Sequence, residues 1–320
     1  MVAKNKAIGI TIAIVIAIGV SAYLLTMQQP TANNPITVNM VYPKFIDSVP
    51  LFVAIENGYF KEANINVNSE VEQDASLVTS ALLSGQADVG FPISTTDLLL
   101  IEEKEPGKIK LFLAAEETQN LTMILVKADS PITSLNELKG KKIGTLPGSI
   151  GNILPKMILK NYFDPSQATL VALPPTDLIS ALDAGSVDAI WTASPITNIA
   201  IRTGVAKSIL NSADLTIQTP MPTVGYGFST KFVNEHPETA KKIVEIIKKA
   251  ADYLSANPEE GRQLLAKYLE LPENDTGPLG WSSYSEASSA QQVYQNFADK
   301  MFEQGYLDKK VDMNDLIYKP

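Results

Sequence analysis

Apolar and polar positions along this chain fall into a helix–stop–strand pattern that occurs twice. LVTSALLSGQADVGFPIST, beginning at Leu77, and DLISALDAGSVDAIWTASP, beginning at Asp177, align without a gap. Ser80, Ala81, Leu82, Gly85, Asp88 and Ser94 recur as Ser180, Ala181, Leu182, Gly185, Asp188 and Ser194. Each copy reads as the end of an amphipathic helix, a Gly stop, an Asp and a short apolar strand. Gly85 and Gly185 stand where a helix ends in a left-handed residue, a conformation Gly takes without steric cost. VGF and AIW are too short and too apolar for surface strands and belong inside a mainly parallel sheet. Each strand runs into a hydroxyl-rich loop: Pro92-Ile93-Ser94-Thr95-Thr96 in one copy, Thr192-Ala193-Ser194-Pro195 in the other. Ligands of open α/β sheets collect beyond the carboxyl ends of strands. The two copies therefore predict two related lobes, each offering one edge to a shared cleft.

Ahead of the repeat, residues 7–25 (AIGITIAIVIAIGVSAYLL) carry no charge and follow a short basic head. At a rise of about 1.5 Å per residue such a stretch nearly spans a bilayer core. The basic residues before it keep the N-terminus cytoplasmic and export the rest. A transmembrane anchor over residues 1–27 is expected, with a cleavable signal peptide ending near Val20-Ser21-Ala22 as the rival. Residues 28–35 (QQPTANNP) read as a polar tether. The folded part opens with an alternating strand, ITVNMVYP, from Ile36. A loop through Lys44 leads to a helix at 50–57, which Gly58 ends. Strands are predicted at 65–68, 109–115, 121–126, 142–144, 168–172 and 224–228. Helices are predicted at 96–103, 153–161, 235–267 with a break at Asn257-Pro258, and 285–304.

Composition narrows the function. The formal net charge is −9, and an acidic surface argues against nucleic acid, whose phosphates reward clustered Lys and Arg. With no cysteine, disulfides, Fe–S clusters, thiolate zinc sites and a cysteine nucleophile are excluded. A single histidine, His236, leaves no His-based metal cluster or Ser–His pair; before Pro237 it reads as a helix cap. No metal or cofactor is expected.

GYFKEANINV from Gly58, ALLSGQADVGF, DSPITSLNELKGKKIG from Asp129, LPGSIG from Leu146, ALDAGSVDAIW from Ala181 and NEHPETAKKIV from Asn234 stand in a familiar order and spacing. In these segments the chain resembles the solute-binding proteins of ABC importers for nitrate, sulfonates and taurine, a group that also holds thiamine-pyrimidine binders. The resemblance implies an α/β, two-lobed periplasmic-binding fold of type II, here preceded by the N-terminal transmembrane helix. It implies lobe 1 over 36–118 plus 225–320, lobe 2 over 119–224, and two hinge crossings. It further implies an extracytoplasmic monomer, periplasmic or held at the outer face of the cytoplasmic membrane, working with ABC permease subunits.

Candidate ligand contacts follow from the loops and the resemblance together. Gly148-Ser149-Ile150 lies between a strand and a helix, where glycines allow close approach and the first helical N–H groups lack intrahelical partners. Plain N-capping is the alternative there. Ser94, Thr95 and Thr96 form the matching loop of the first lobe, and Thr192 and Ser194 that of the second. Tyr42, Lys44, Phe45 and Ser48 follow the first strand. Glu116, beside Glu117 near the hinge, is placed to receive the ammonium of a taurine-like ligand. Phe91 and Trp191 read as core.

Neutral donors from Ser, Thr and backbone N–H suit a sulfonate or nitrate without a buried counter-ion. The best small ligands gain about 1.5 kcal/mol per heavy atom, so nitrate reaches about 6 kcal/mol, or tens of micromolar. An organosulfonate has more atoms to use. Both need nearly full enclosure, which two hinged lobes supply on closing. The expected function is capture of a small oxyanion or organosulfonate for import, without catalysis. The alternative is a thiamine pyrimidine precursor or similar aromatic solute, stacked on Tyr42, Phe45, Phe91, Trp191 or Tyr226.

Overall fold

Parallel pairing starts at the two repeated aspartates. A computed structural model describes residues 35–271 and 282–320, so the stretch at 7–25 and the anchor expected of it lie outside the described residues. Strands β1 (Ile36–Pro43), β2 (Ile65–Glu72), β3 (Val89–Ser94) and β4 (Ile109–Glu117) come first. Then β5 (Thr122–Lys127), β6 (Lys142–Thr145), β7 (Thr169–Ala172), β8 (Ala189–Ala193) and β9 (Ala206–Asn211) make a second sheet. The chain returns to the first sheet with β10 (Met221–Ser229) and β11 (Ser283–Glu286).

The strand orders are β11-β4-β10-β3-β1-β2 and β7-β6-β8-β5-β9. In the first sheet β1 runs parallel to β3, and β10 lies antiparallel beyond β3. In the second, β6 runs parallel to β8, and β5 lies antiparallel beyond β8. Superimposing these orders puts β3 on β8, as the sequence repeat requires. Asp88 shows what the repeated acid does: its Oδ2 accepts the Asn39 N–H of β1 at 2.9 Å. Asp188 Oδ2 accepts the Lys142 N–H of β6 at 2.8 Å in the same way. Gly85 and Gly185 take φ of +76° and +71°, the left-handed helix ends that the repeat predicts.

The two crossings are an exchange of strands. β4 leaves the first sheet and the chain re-emerges as β5, which pairs with β9. β9 leaves the second sheet and the chain re-emerges as β10, which pairs with β4. Residues 118–121 and 212–220 thus carry the chain between sheets, while Thr37–Pro320 pack as one unit. Among the described residues no helix is long and apolar enough to cross a membrane.

Helices cover the sheets through apolar stripes. Ile243, Ile246, Ile247, Ala250, Ala251 and Leu254 of helix Pro237–Ala256 are all buried, the three-and-four spacing of a helix face turned to a core. That helix packs on Val49–Glu56, whose apolar residues 49–54 are buried throughout. Asn257 breaks it from Pro258–Leu269, as Pro258 predicts. His236 stands at the start of this long helix but makes no side-chain cap bond. Its ring lies 5.4 Å from that of Phe232.

Helix Gly148–Leu159 starts directly after β6, and Gly151 lets it do so. A Cβ at Gly151 would stand 1.7 Å from the Leu146 carbonyl oxygen. The contact is backbone, so no side chain can move aside. Gly151→Ala is expected to cost about 3 kcal/mol or more in unfolding free energy, read by urea denaturation; a cost below about 1 kcal/mol would mean the helix start can shift.

Candidate functional site

The site grows from the carboxyl ends of the parallel strands in both sheets. At the carboxyl ends of β1, β2 and β3, the first sheet presents Pro43, Phe45, Asp47, Asp74 and Pro92. Beyond β6 and β8, the second presents Leu146, Pro147, Ile150, Trp191 and Ala193. Leu121, Thr122, Thr223 and Val224 close the hinge side. They surround a cavity of about 50 Å³, room for a few water molecules, whereas organic ligands occupy roughly 300–1,000 Å³. Both sheets contribute residues to its wall.

Closure is fastened by hydroxyls from both lobes meeting one carboxylate. Ser149, at the start of helix Gly148–Leu159, donates to Asp97 Oδ1, and Ser76 donates to Asp97 Oδ2 at 2.7 Å. With its proton on Asp97, the Ser149 oxygen takes the Thr96 hydroxyl at 2.5 Å. Thr96 in turn takes the Ser94 hydroxyl at 2.8 Å. The Ser149 backbone N–H also points to Asp97. Gly148, at φ +80°, brings the second lobe so near that a Cβ there would meet Ser76 Oγ at 1.9 Å. Burial pushes the Asp97 carboxyl up from its ordinary range, against the pull of the Ser149 and Ser76 hydrogen bonds.

A second polar group joins the two crossings. Glu117, at the end of β4, accepts the Leu121 and Thr122 N–H groups at 3.1 and 3.0 Å. The Thr122 hydroxyl donates to its other oxygen at 2.8 Å and accepts the Asp214 N–H at 3.0 Å. Asp214, wholly buried, takes the Trp191 indole N–H at 2.9 Å on one oxygen, while its other oxygen has no partner. Burial and the charge of Glu117 hold Asp214 well above the carboxylate range. Burial likewise raises Glu117 against its own hydrogen bonds, with Asp47 adding repulsion. The bridge ties the first crossing to the second and fixes the ring of Trp191 beside the cavity.

Asp47 is one of two acidic residues at the cavity wall. Its Oδ1 accepts the Ser282 hydroxyl at 2.6 Å, and its carbonyl accepts the Tyr226 hydroxyl at 2.5 Å. Burial raises its carboxyl to about 6, outweighing the Ser282 bond. Among the described residues no lysine or arginine lines the cavity. Asp74, also on the wall, caps helix Ala75–Ser84 by accepting the Ser76 and Leu77 N–H groups.

The thirteen residues expected from sequence separate into groups. Phe45 and Ile150 line the cavity. Ser94, Thr96, Gly148 and Ser149 belong to the fastening around Asp97. Thr95 and Thr192 are buried nearby on the strand ends, their hydroxyls without a partner. Ser194 is buried against Thr197 at 3.2 Å. Ser48 donates to the Pro43 carbonyl at 2.6 Å, and Tyr42 meets Phe52 edge-on at 5.1 Å in the first core. Lys44 pairs with Glu270 at 3.3 Å and lines a second hollow of about 380 Å³ that shares Phe45 and is walled from the other sheet's side by Pro174, Ile179 and Ile196. Glu116 is buried with one oxygen unpartnered, and burial raises its carboxyl; it is not on the cavity wall. Of the proposed stacking faces, Phe45 and Trp191 reach the cavity, while Phe91 and Tyr226 pack together at 5.3 Å.

Sequence reasoning did not single out Asp47, Asp97 or Thr223. Asp47 lies in the loop after β1 that supplied Lys44, Phe45 and Ser48 as candidates, and its charge just ahead of the apolar VPLF run was the available signal. Asp97 looked like an ordinary first-turn acid of helix Thr95–Lys104, favoured there by the helix dipole. Only the closed pair of lobes reveals what it holds.

Residues 46–261 match the family described as NMT1/THI5 like. The chain belongs to that family. It is 27% identical over 289 residues to a putative aliphatic sulfonates-binding protein of Bacillus subtilis, covering 84% of this chain and 82% of that one. It is 25% identical over 257 residues to the nitrate import ATP-binding protein NrtC of Synechocystis, covering 74% of this chain but only 38% of that relative. Among solved structures, the alkanesulfonate-binding protein SsuA of Xanthomonas axonopodis, bound to MOPS, superimposes with a TM-score of 0.77 at 19% identity. The overlap covers 90% of this chain and 100% of that one. The shared fold is the two-sheet periplasmic-binding architecture.

The raised carboxyl of Asp47 makes stability depend on pH. A group raised on folding gives stability that is complete below its unfolded value and is lost as pH climbs through its folded value. Relative to Asp47→Asn, the wild-type protein is expected to lose up to roughly 3 kcal/mol between about pH 4 and pH 7. Urea unfolding of both proteins across that range reads the difference; a difference that stays level would place Asp47 in water.

Proposed function

We propose that this protein is the extracytoplasmic solute-binding component of an ABC importer, closing two hinged lobes on a small oxyanion or organosulfonate. The observation that carries the reading is the cleft itself: two strand-exchanged sheets with their carboxyl ends facing one cavity and hydroxyls from both sides joined across it. The family match and the sulfonate- and nitrate-named relatives support it. Export, with the folded part outside the cytoplasm and held by the 7–25 segment, goes with this role. A permease that recognises the closed form is the implied partner, and the binding protein acts as a monomer. The hinge boundaries and the thirteen contacts named from sequence are part of this proposal.

Catalysis is not part of it. The chain has no cysteine and one histidine, and that histidine lies against Phe232 rather than in the cleft.

A second reading, a thiamine pyrimidine precursor or similar aromatic solute, is favoured by one observation. Phe45 and Trp191 line the cavity with Pro43, Pro92 and Pro147, and the charge facing them is acidic. Ring faces and proline edges suit a flat organic body better than a bare nitrate.

Thermal-shift screening against nitrate, taurine, alkanesulfonates, bicarbonate and pyrimidine precursors separates the readings, because a ligand at a hundredfold excess over Kd adds about 2.7 kcal/mol. Ser149→Ala is expected to weaken binding of the responding solute about tenfold or more, by removing one charge-assisted bond of the closed form. Its melting temperature without solute should change little. Unchanged affinity in Ser149→Ala would show that the bond to Asp97 is irrelevant to capture.

A further inference from the structure

We propose that the solute is an anionic amphiphile: an organosulfonate whose head group meets Lys44 and whose apolar body, several carbons long, runs past Phe45 between the two sheets. The inference rests on reading this cleft as the site of an oxyanion or organosulfonate, and it narrows that reading to the second kind. Four observations carry it.

First, the room between the sheets is divided unequally, and Phe45 stands at the division. The cavity of about 50 Å³ and the hollow of about 380 Å³ both have Phe45 on their wall. Only the larger falls in the range that organic ligands occupy, roughly 300–1,000 Å³. A bare nitrate would leave most of it to water.

Second, the wall of the hollow is largely apolar and comes from both sides. Ile179, Ile196 and Ile199 face it from helices of the second sheet, and Val71 and Leu269 from the first. Val71 is 49% exposed, and Ile179 and Ile199 are only half-buried. Apolar surface left in water is covered favourably by an apolar body, in proportion to the area removed from solvent. A small hydrated anion covers little of it.

Third, the charges give the solute a direction. Lys44 is the only lysine or arginine on either wall among the described residues. Its side chain and that of Glu270 are 39% and 82% exposed, and such surface pairs contribute little, so an incoming anion can take the place of Glu270 at small cost. Glu72 shares the wall, so a head group gains only by touching the ammonium. At the inner end Asp47 and Asp74 line the small cavity, and the hydroxyls of Thr122 and Thr223 beside them are neutral. An anion is favoured at Lys44 and repelled from the inner end. The body therefore points inward.

Fourth, Lys44 keeps contact with solvent. A sulfonate beside it retains part of its hydration while the attached body leaves water, and the cost of burying an unpaired charge is avoided. Of the oxyanions and organosulfonates considered, only an amphiphile gains from both halves of the site.

The test is isothermal titration of the full-length protein with 1-hexanesulfonate, methanesulfonate and nitrate, and with hexylamine as the same tail carrying the opposite charge. 1-Hexanesulfonate is expected to bind about tenfold or more tightly than methanesulfonate or nitrate, and more tightly than hexylamine. Lys44→Met is expected to weaken 1-hexanesulfonate severalfold and to reduce its advantage over hexylamine. Ile179→Asp, which sets a charge on the apolar wall, is expected to weaken 1-hexanesulfonate about tenfold or more. If methanesulfonate or nitrate binds the wild-type protein as tightly as 1-hexanesulfonate, the hollow holds no apolar body and the inference is overturned, while capture of an oxyanion by the cleft stands. Tighter binding of hexylamine than of 1-hexanesulfonate would overturn it as well. If 1-hexanesulfonate binds equally well to wild type and Lys44→Met, its head is not at Lys44; if equally well to Ile179→Asp, its body is not in the hollow; either result defeats the inference. If neither sulfonate nor nitrate binds, both the inference and the reading on which it rests are contradicted. Should Ile179→Asp not fold, the wild-type ranking of the four probes and the Lys44→Met titration decide.

Discussion

Carboxylates buried without cations set the character of this molecule. Taking an ionised carboxylate out of water is expensive, and a protein offsets the cost with opposite charge, hydrogen bonds or a retained proton. Among the described residues no opposite charge lines the small cavity, and the other two means are used. Asp97 collects hydroxyl donors from both lobes. Glu117 and Asp214 share Thr122, and burial with mutual repulsion keeps Asp214 well above the carboxylate range. Asp47 has Ser282 and a carboxyl raised to about 6, the least compensated of the carboxylates at the cavity wall.

The strand exchange makes that arrangement mechanical. Because β4 continues into β5 and β9 into β10, the chain passes twice between the sheets, both times beside the cavity. Glu117 and Thr122 stand on either side of the first crossing, and Asp214 lies in the second. The fastening at Asp97 joins the lobes away from the hinge, through a single serine of the second lobe. One end is therefore braced by covalent crossings and buried polar bonds. The other is held by hydrogen bonds that can be remade, an asymmetry in keeping with the hinge bending proposed for this protein.

Much of the fold was legible in the chain because its strongest signals are local. The glycine stops and the repeated Asp88 and Asp188 each act within one sheet, and the repeat located both parallel units. What pattern did not show was set by pairing at a distance. β10 begins at Met221 rather than Val224 because all nine of its residues are buried, so no alternation marks its start. β11 is a polar SYSE edge strand created by its pairing with β4, where the sequence suggested a helix from Ser285. β9 and helix Ile196–Arg202 also went unread. In the site, Ser149 and the Ser94–Thr96 loop were found by type and place, but the acid they serve was not. A first-turn aspartate looks the same in sequence whether it faces solvent or another lobe.

The bond between Ser149 and Asp97 is the most direct place to test the account. Small-angle X-ray scattering of the solute-free wild-type protein and of Asp97→Ala compares their dimensions. The account predicts a larger radius of gyration for Asp97→Ala, because the hydrogen bonds that join the ends of the two sheets are lost. Equal radii would contradict it.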